Sequence, residues 1–406
     1  MSRMVHLEDV ATEITVGHVG SMANEYIEDG VPFLRSLNVL PHRIETSEIK
    51  YISPGFHGKL KKSALKPGDV VIVRTGKPGT CAVIPGDLPV SNCSDLVIVR
   101  CGPELRPRFL AYWVNTIARD HVASHVVGAV QQHFNVGSAK KMPIRLPDLR
   151  VQDDILSILG ALDDKIELNR KTAATLEEMA RALYRSWFVD FDPVHAKAAG
   201  RAPAHMDAQT AALFPDNFGE DGLPEGWVSE TVGDLFTLQR GFDLPKKNRE
   251  DGPYPVLAAG GHHGTHKDFK VKGPGVTTGR SGVIGEVFLV LEDFWPLNTS
   301  LWVKEFKKCS PFFAYFFLQT LDLKALNSGS AVPSLNRNNV HNLAVGTPPS
   351  DVISSFDNLV SPMFNRIQAA TNESQTLATL RDTLLPRLMS GELRVGEAKE
   401  QVGEFV

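Results

Sequence analysis

Several strings in this chain carry residue types that could do chemistry. Pro147-Asp148 followed by Asp163-Asp164-Lys165 spells a nuclease-like PD-(D/E)xK set. Such a site needs its acids on adjacent strands converging on one Mg²⁺. Here Asp163 to Lys165 flank Leu162 and Ile166 of an apolar repeat, so they are expected as solvent-face charges of a helix. Gly260-Gly-His-His-Gly-Thr-His266 places His262, His263 and His266 in an HHxxH cluster. Zinc wants three or four ligands held on rigid elements, and the first half of the chain has no counterpart. The stretch reads either as a metal site or as a polar loop facing nucleic acid. Thr278-Gly-Arg-Ser-Gly-Val-Ile-Gly285 has spaced glycines but lacks the P-loop ending, and no dinucleotide fingerprint follows a strand elsewhere. Thr347-Pro-Pro-Ser350 is not the Asp/Asn-Pro-Pro-aromatic pattern of amino-methyltransferases. No residue constellation for AdoMet, ATP or metal-dependent cleavage stands out.

Charge is more informative. Net charge is −4, yet residues 32–77 carry +6 and residues 240–281 carry +4, while residues 148–192 carry −4. Phosphate affinity follows local positive density rather than the global balance. A basic stretch alone is an ordinary solvated surface, but its recurrence at corresponding places favours a face for a polyanion. The candidate polyanion contacts are Arg35, Lys59, Lys61, Lys62, Arg74 and Lys77 in the first half. In the second they are Arg240, Lys246, Lys247, His262, His263, Lys267, Arg280 and Arg337. Lys77 and Arg280 are paired as cations at the tips of matching turns after a strand, where a phosphate or base edge could be met. A plain β-turn is the competing reading.

The elements that must position these residues are written twice. Residues 131–188 repeat as 332–389 at an offset of 201: Phe134 meets Leu335, Ile155 meets Phe356, Leu176 meets Leu377 and Leu183 meets Leu384. Upstream the offset drifts, with Pro107 meeting Pro311 and Asn92 meeting Asn298, as loops of unequal length would cause. The period suits two globular modules, each followed by a long helix, rather than a solenoid. Runs such as Val70-Val-Ile-Val-Arg74 and Leu96-Val-Ile-Val-Arg100 are strand-like between turn signals. The expected division is 1–148, first module; 149–192, first helix; 193–225, exposed linker; 226–349, second module; 350–393, second helix; 394–406, polar frayed tail.

In the first helix Ile155, Leu159, Leu162, Ile166, Asn169, Ala173, Leu176, Ala180, Leu183 and Trp187 step by 4 and 3 throughout, a heptad seam. Val352, Phe356, Leu359, Met363, Ile367, Ala370, Leu377, Leu380, Leu384 and Leu388 approximate it in the second, with Pro362 suiting a helix start or kink. The seams pack on each other as an antiparallel pair or, alternatively, each on its own module. The apolar ends at Trp187-Phe188 and Leu384-Leu385 exceed what one seam covers, so part is expected to meet protein partners. With 406 residues, 42% apolar and 22% charged, the chain suits two soluble domains. No signal peptide or membrane span is predicted, and four cysteines without CxxC spacing read as reduced thiols in a cytoplasmic protein.

The strings closing the helices, Ala182-Leu-Tyr-Arg-Ser-Trp-Phe-Val-Asp-Phe-Asp-Pro-Val194 and Leu377-Ala-Thr-Leu-Arg-Asp-Thr-Leu-Leu-Pro-Arg-Leu-Met-Ser-Gly-Glu-Leu393, are distinctive. So is Leu223-Pro-Glu-Gly-Trp227 before the second module. With these, the chain resembles the specificity (S) subunits of type I restriction–modification enzymes over essentially its whole length. The resemblance implies an α+β fold: two β-rich target-recognition domains in pseudo-twofold arrangement, joined by two long antiparallel coiled-coil helices. It implies a non-catalytic subunit reading an asymmetric bipartite site in double-stranded DNA. Its partners would be two methyltransferase (M) subunits, docked on the helices, and motor–nuclease (R) subunits. AdoMet, ATP and Mg would be bound by those partners and none by this chain. The alternatives are the same reader serving a fused methyltransferase–nuclease, and a structural adaptor without a DNA role.

Overall fold

The computed structural model describes residues 2–127 and 133–403. It divides into two compact units, Met1–Leu168 with Glu373–Val406, and Asn169–Asn372. Part of the tail, 404–406, and Gln131 and Gln132 at the start of the repeat lie outside the described residues.

In the first unit Arg3–His6 pairs antiparallel with Pro143–Leu146, tying the start of the module to its end. A four-stranded antiparallel sheet runs in the order Cys81–Val83, Val70–Val73, Leu96–Cys101, Ala11–Val16. Val70 to Val73 are at most 1% exposed, which is why that strand is continuously apolar rather than alternating. A second sheet contains a parallel pair, Val31–Leu34 with Ser91–Cys93. The helix Pro107–Asn115, with proline at its first turn where no N–H partner is needed, lies against the first sheet in the main core.

The second unit repeats this. Val228–Thr231 pairs with Ala344–Thr347. The four-stranded order is Val287–Val290, Gly275–Gly279, Ser300–Phe306, Phe236–Arg240. Tyr254–Ala258 runs parallel to Trp295–Pro296, and the helix Pro311–Thr320 takes the place of Pro107–Asn115. The duplication seen in sequence therefore holds for the terminal strand pair, the four-stranded sheet and the parallel pair, while the second sheets differ, five strands in the first module and three in the second.

The long helices are Leu149–Phe188 and Ser350–Ser390. In the first unit Asp163 pairs with Arg381 at 2.6 Å and Lys165 with Glu373 at 3.3 Å, an antiparallel run. Ile155, Leu159 and Leu162 share one core with Leu377, Leu384 and Leu388 and also with Phe109, Leu110 and Trp113 of the module. In the second unit Tyr184 and Phe188 meet Phe356 at 5.8 and 5.2 Å and Phe313 of the module helix at 5.5 and 5.1 Å. The two packings left open by the sequence thus occur together.

This three-way packing corrects several expectations. Trp187 and Phe188 are 3% and 9% exposed, and Leu384 and Leu385 1% and 3%, so none offers a face to a partner. The module helices cover the apolar surface that the seam alone could not. Asp163 is not a solvent-face charge: its side chain is 14% exposed, accepts from Tyr112 Oη and pairs with Arg381. The second helix runs through Pro362 without a break. Leu359 is 42% exposed, and Val360 and Phe364 are buried instead, because Phe364 stacks on Phe312 at 5.3 Å. The linker is anchored rather than simply exposed. Its Ala-rich stretch forms helices Asp192–Ala198 and Ala208–Ala212, and Val194 and Phe214 enter the second core. The tail forms a helix, Val395–Gly403, with Ala398 buried in the first core.

Each unit also holds a perturbed titratable group. Burial pulls the His42 imidazole down to about 4 beside Asp163, Arg381 and Asp382. Burial pushes the Asp357 carboxyl up to about 6, although Ser310 Oγ donates to it at 2.7 Å.

Candidate nucleic-acid interface

In the first module three of the expected lysines stand on one small platform. Ser53 Oγ accepts from Phe56 N at 3.1 Å and caps the short helix Pro54–Lys59, and a 3-10 turn, Lys61–Ser63, follows. Phe56 and Leu60 pack on Met22, Phe33 and Ile52. Asn92, fully buried, donates from Nδ2 to the Leu60 carbonyl at 3.1 Å. The platform is thereby fixed, and Lys59, Lys61 and Lys62 are exposed on it. Among the described residues none of the three forms an ion pair. Lys77 is exposed on a separate turn. Gly79 allows that turn at φ +86, where a Cβ would also meet Val122 at 2.9 Å.

Three expected contact residues prove to be braces. Arg35 donates from Nη2 to the Glu48 carbonyl at 2.9 Å. Arg74 pairs with Asp95 at 2.8 Å and donates to the Phe134 carbonyl at 3.3 Å. Arg280 donates from Nε to the Asn298 carbonyl at 2.8 Å. All three side chains are half-buried or less exposed, and their guanidinium groups hold loop carbonyls or carboxylates of the module itself.

The braces also correct the alignment. Phe134 N donates to the Arg74 carbonyl at 3.1 Å, and Leu335 N donates to the Arg280 carbonyl at 2.8 Å. Arg280 therefore corresponds to Arg74, not to Lys77. His18 bridges Ser94 and Phe242 bridges Leu297 in the same parallel sense, so Asn298 corresponds to Asp95, not to Asn92.

In the second module the loops following Phe236–Arg240, Tyr254–Ala258, Gly275–Gly279 and Trp295–Pro296 surround a cleft of about 490 Å³. Its lining includes Asp243, Lys246, Arg249, His263, Val283 and Asn298. Arg249 ties the cleft together, donating to the His263 carbonyl at 2.8 Å and the Leu244 carbonyl at 3.4 Å. Lys246 and Lys247 stand exposed on a 3-10 turn. His262 and His263 are exposed on the strand Gly261–His266, whereas His266 is buried with its ring edge-on to Trp295 at 5.3 Å. Glu250 N donates to His266 Nδ1 at 3.2 Å. Among the described residues no three His, Cys, Asp or Glu side chains gather as metal ligands would, these histidines included. Lys267 is paired with Glu250 at 3.0 Å, and Arg240 lies 3.7 Å from Asp243. Arg337 is exposed at the start of the helix Arg337–His341, outside the cleft lining.

Sequence reasoning missed Asp243, Arg249 and Asn298. The signal for Asn298 was present but was matched to the wrong asparagine. Asp243 was passed over because a search for polyanion contacts counts acids only as losses.

A family model for the type I restriction modification DNA specificity domain matches residues 7–178 and 224–358, once per module. The specificity subunit of the type I restriction enzyme HindI from Haemophilus influenzae is 28% identical over 443 aligned residues, covering 89% of this chain and 94% of that protein. The MjaIX specificity subunit of Methanocaldococcus jannaschii is 21% identical over 395, covering 88% and 87%. Among solved structures, a type I restriction-modification S subunit from M. genitalium has a similar fold, with a TM-score of 0.60 at 14% identity and 96% of each chain covered.

Proposed function

The chain belongs to the type I restriction–modification DNA specificity family, and we propose that it is the specificity subunit of such a system, a non-catalytic reader of an asymmetric bipartite duplex site. Each module reads one half. Methyltransferase subunits carrying AdoMet methylate adenine at the site, and motor–nuclease subunits using ATP and Mg cleave unmodified DNA. The observation that carries this reading is the double use of one frame with different exposed chemistry. Both modules have the same strand order in the four-stranded sheet and an arginine at the same place, Arg74 or Arg280, bracing the corresponding Asp95 or Asn298. One displays a lysine platform and the other a mixed-charge cleft. Cations on such loops meet phosphates and fix register, while side chains that both donate and accept can read base edges.

The test is to express the chain with its methyltransferase partner in a host lacking adenine methylation, and to sequence the modified genome. The expected result is one asymmetric two-part sequence, modified only when this chain is present. Modification that is absent, or independent of the chain, sinks the reading.

A further inference from the structure

Within the cleft of the second module an exposed carboxylate sits among cations. Asp243 is 71% exposed at its side chain, with Arg240 3.7 Å away and Lys246 and Arg249 lining the same cleft. A carboxylate beside a polyanion is repelled by it, so a role in holding phosphates is excluded by its sign. Its geometry fits another role. Asn298 Nδ2 donates to Asp243 Oδ1, and the Asn298 backbone is itself fixed by the Arg280 guanidinium on its carbonyl at 2.8 Å. One amide hydrogen is used in that bond. What remains at the cleft is Asp243 Oδ2 and Asn298 Oδ1 as acceptors and a single amide N–H as donor.

We propose that Asp243 and Asn298 are the base-discriminating pair of the second module, and that they select a base with an exocyclic amine, adenine or cytosine, against guanine and thymine. In the major groove adenine presents the N6 amine beside the N7 acceptor, and cytosine presents the N4 amine. Either amine donates to the carboxylate or the amide oxygen, and N7 of adenine can take the remaining amide hydrogen. Guanine offers only N7 and O6 and thymine only O4, so each would place a carbonyl oxygen against a carboxylate. Arg249 and Arg280 act here as positioning residues, since each is bonded to loop carbonyls. Arg240 and Lys246 are left for the phosphates on either side. This assignment rests on the proposed reading of bipartite DNA.

The experiment is selection from a randomised duplex library by the full chain co-purified with its methyltransferase partner, comparing wild type with Asp243→Asn and Asn298→Ala. Asp243→Asn keeps size and an oxygen able to accept from Asn298, but exchanges the free acceptor for a donor. Wild type is expected to enrich a two-part sequence. Asp243→Asn should then lower the preference for adenine or cytosine at one position of one half by roughly 10- to 100-fold and admit guanine there. The other half and the salt dependence should stay as in wild type, and Asn298→Ala should relax the same position. If wild type enriches no sequence, the functional reading fails. If wild type enriches one and both variants enrich it with unchanged preference, the pair does not discriminate bases. Loss of both halves in Asp243→Asn would show a structural role and also overturn the assignment.

Discussion

Between the parallel strand and the inner strand of the four-stranded sheet, the first module inserts residues 35–69 and the second residues 259–274. In the first this interval builds the capped helix and turn that carry Lys59, Lys61 and Lys62. In the second it is short, pairs back as the strand Gly261–His266 and presents two histidines beside a cleft. Around these insertions the frame is constant: same strand order, same parallel pair, same arginine bracing the loop before the next strand. The diverging intervals carry core residues of their own, Val39, Ile52 and Leu65 in the first module and Val271 in the second, so each module packs its own exposed chemistry onto the shared sheet.

The largest expected effects test whether each module and its share of the helices form one core. Trp187→Ala should destabilise the unit of residues 169–372 by about 3–5 kcal/mol, a cavity cost, with amide exchange accelerated there and not in the first module. Unchanged stability with selective loss of a partner would restore Trp187 as a docking residue. In the first module the counterpart is polar. Arg381→Ala leaves Asp163, 14% exposed, without its cation, and should cost about 3 kcal/mol in chemical denaturation. A loss below about 1 kcal/mol would mean that water replaces the pair.

Next comes binding. Lys59, Lys61 and Lys62 changed together to Ala should weaken binding to every duplex and reduce the salt slope by about 0.9 for each lost phosphate contact, with the selected sequence unchanged. An altered sequence would place these lysines at base edges.

The smallest effect is a contrast in pH. His42 has its folded value lowered from 6.5 to about 4, so its stability contribution is complete above pH 6.5 and is lost as pH falls toward 4. Asp357 has its value raised from 3.8 to about 6, so its contribution is present below pH 4 and is lost as pH rises through 6. Between pH 7 and 4.5, amide exchange should show His42→Gln protecting the first module increasingly toward acid. Asp357→Asn should protect the second increasingly toward neutrality. Parallel trends in the two variants would discard the assignment.

Much of this frame was legible in the sequence because apolar strands and heptads survive duplication, as Val70–Val73 and the pairing of Leu183 with Leu384 show. The turns were not. Thr75-Gly76-Lys77 and Thr278-Gly279-Arg280 look alike by composition, but the hydrogen bonds from Phe134 and Leu335 show that Arg74 is the true counterpart of Arg280. A seam drawn on helices alone could not foresee that Phe109 and Phe313 would bury their remaining faces. Of the expected contact residues, those on exposed turns, such as Lys61, Lys77 and Lys246, stand out from the surface. Arg35, Arg74 and Arg280 are braces, whereas Arg240, at the end of its strand, stays exposed.

The first unit is completed by residues 373 onward, whereas the second is one unbroken stretch, 169–372. As the chain leaves the ribosome, the second unit therefore has all its residues in hand while the first still waits for Leu377, Leu384, Leu388 and Ala398 to cover Phe109 and Leu162. The module made first is sealed last. A nascent chain stopped near residue 372 would present a finished second unit and an open first one, so synthesis of the stretch after residue 372 decides when the earlier half becomes a folded reader.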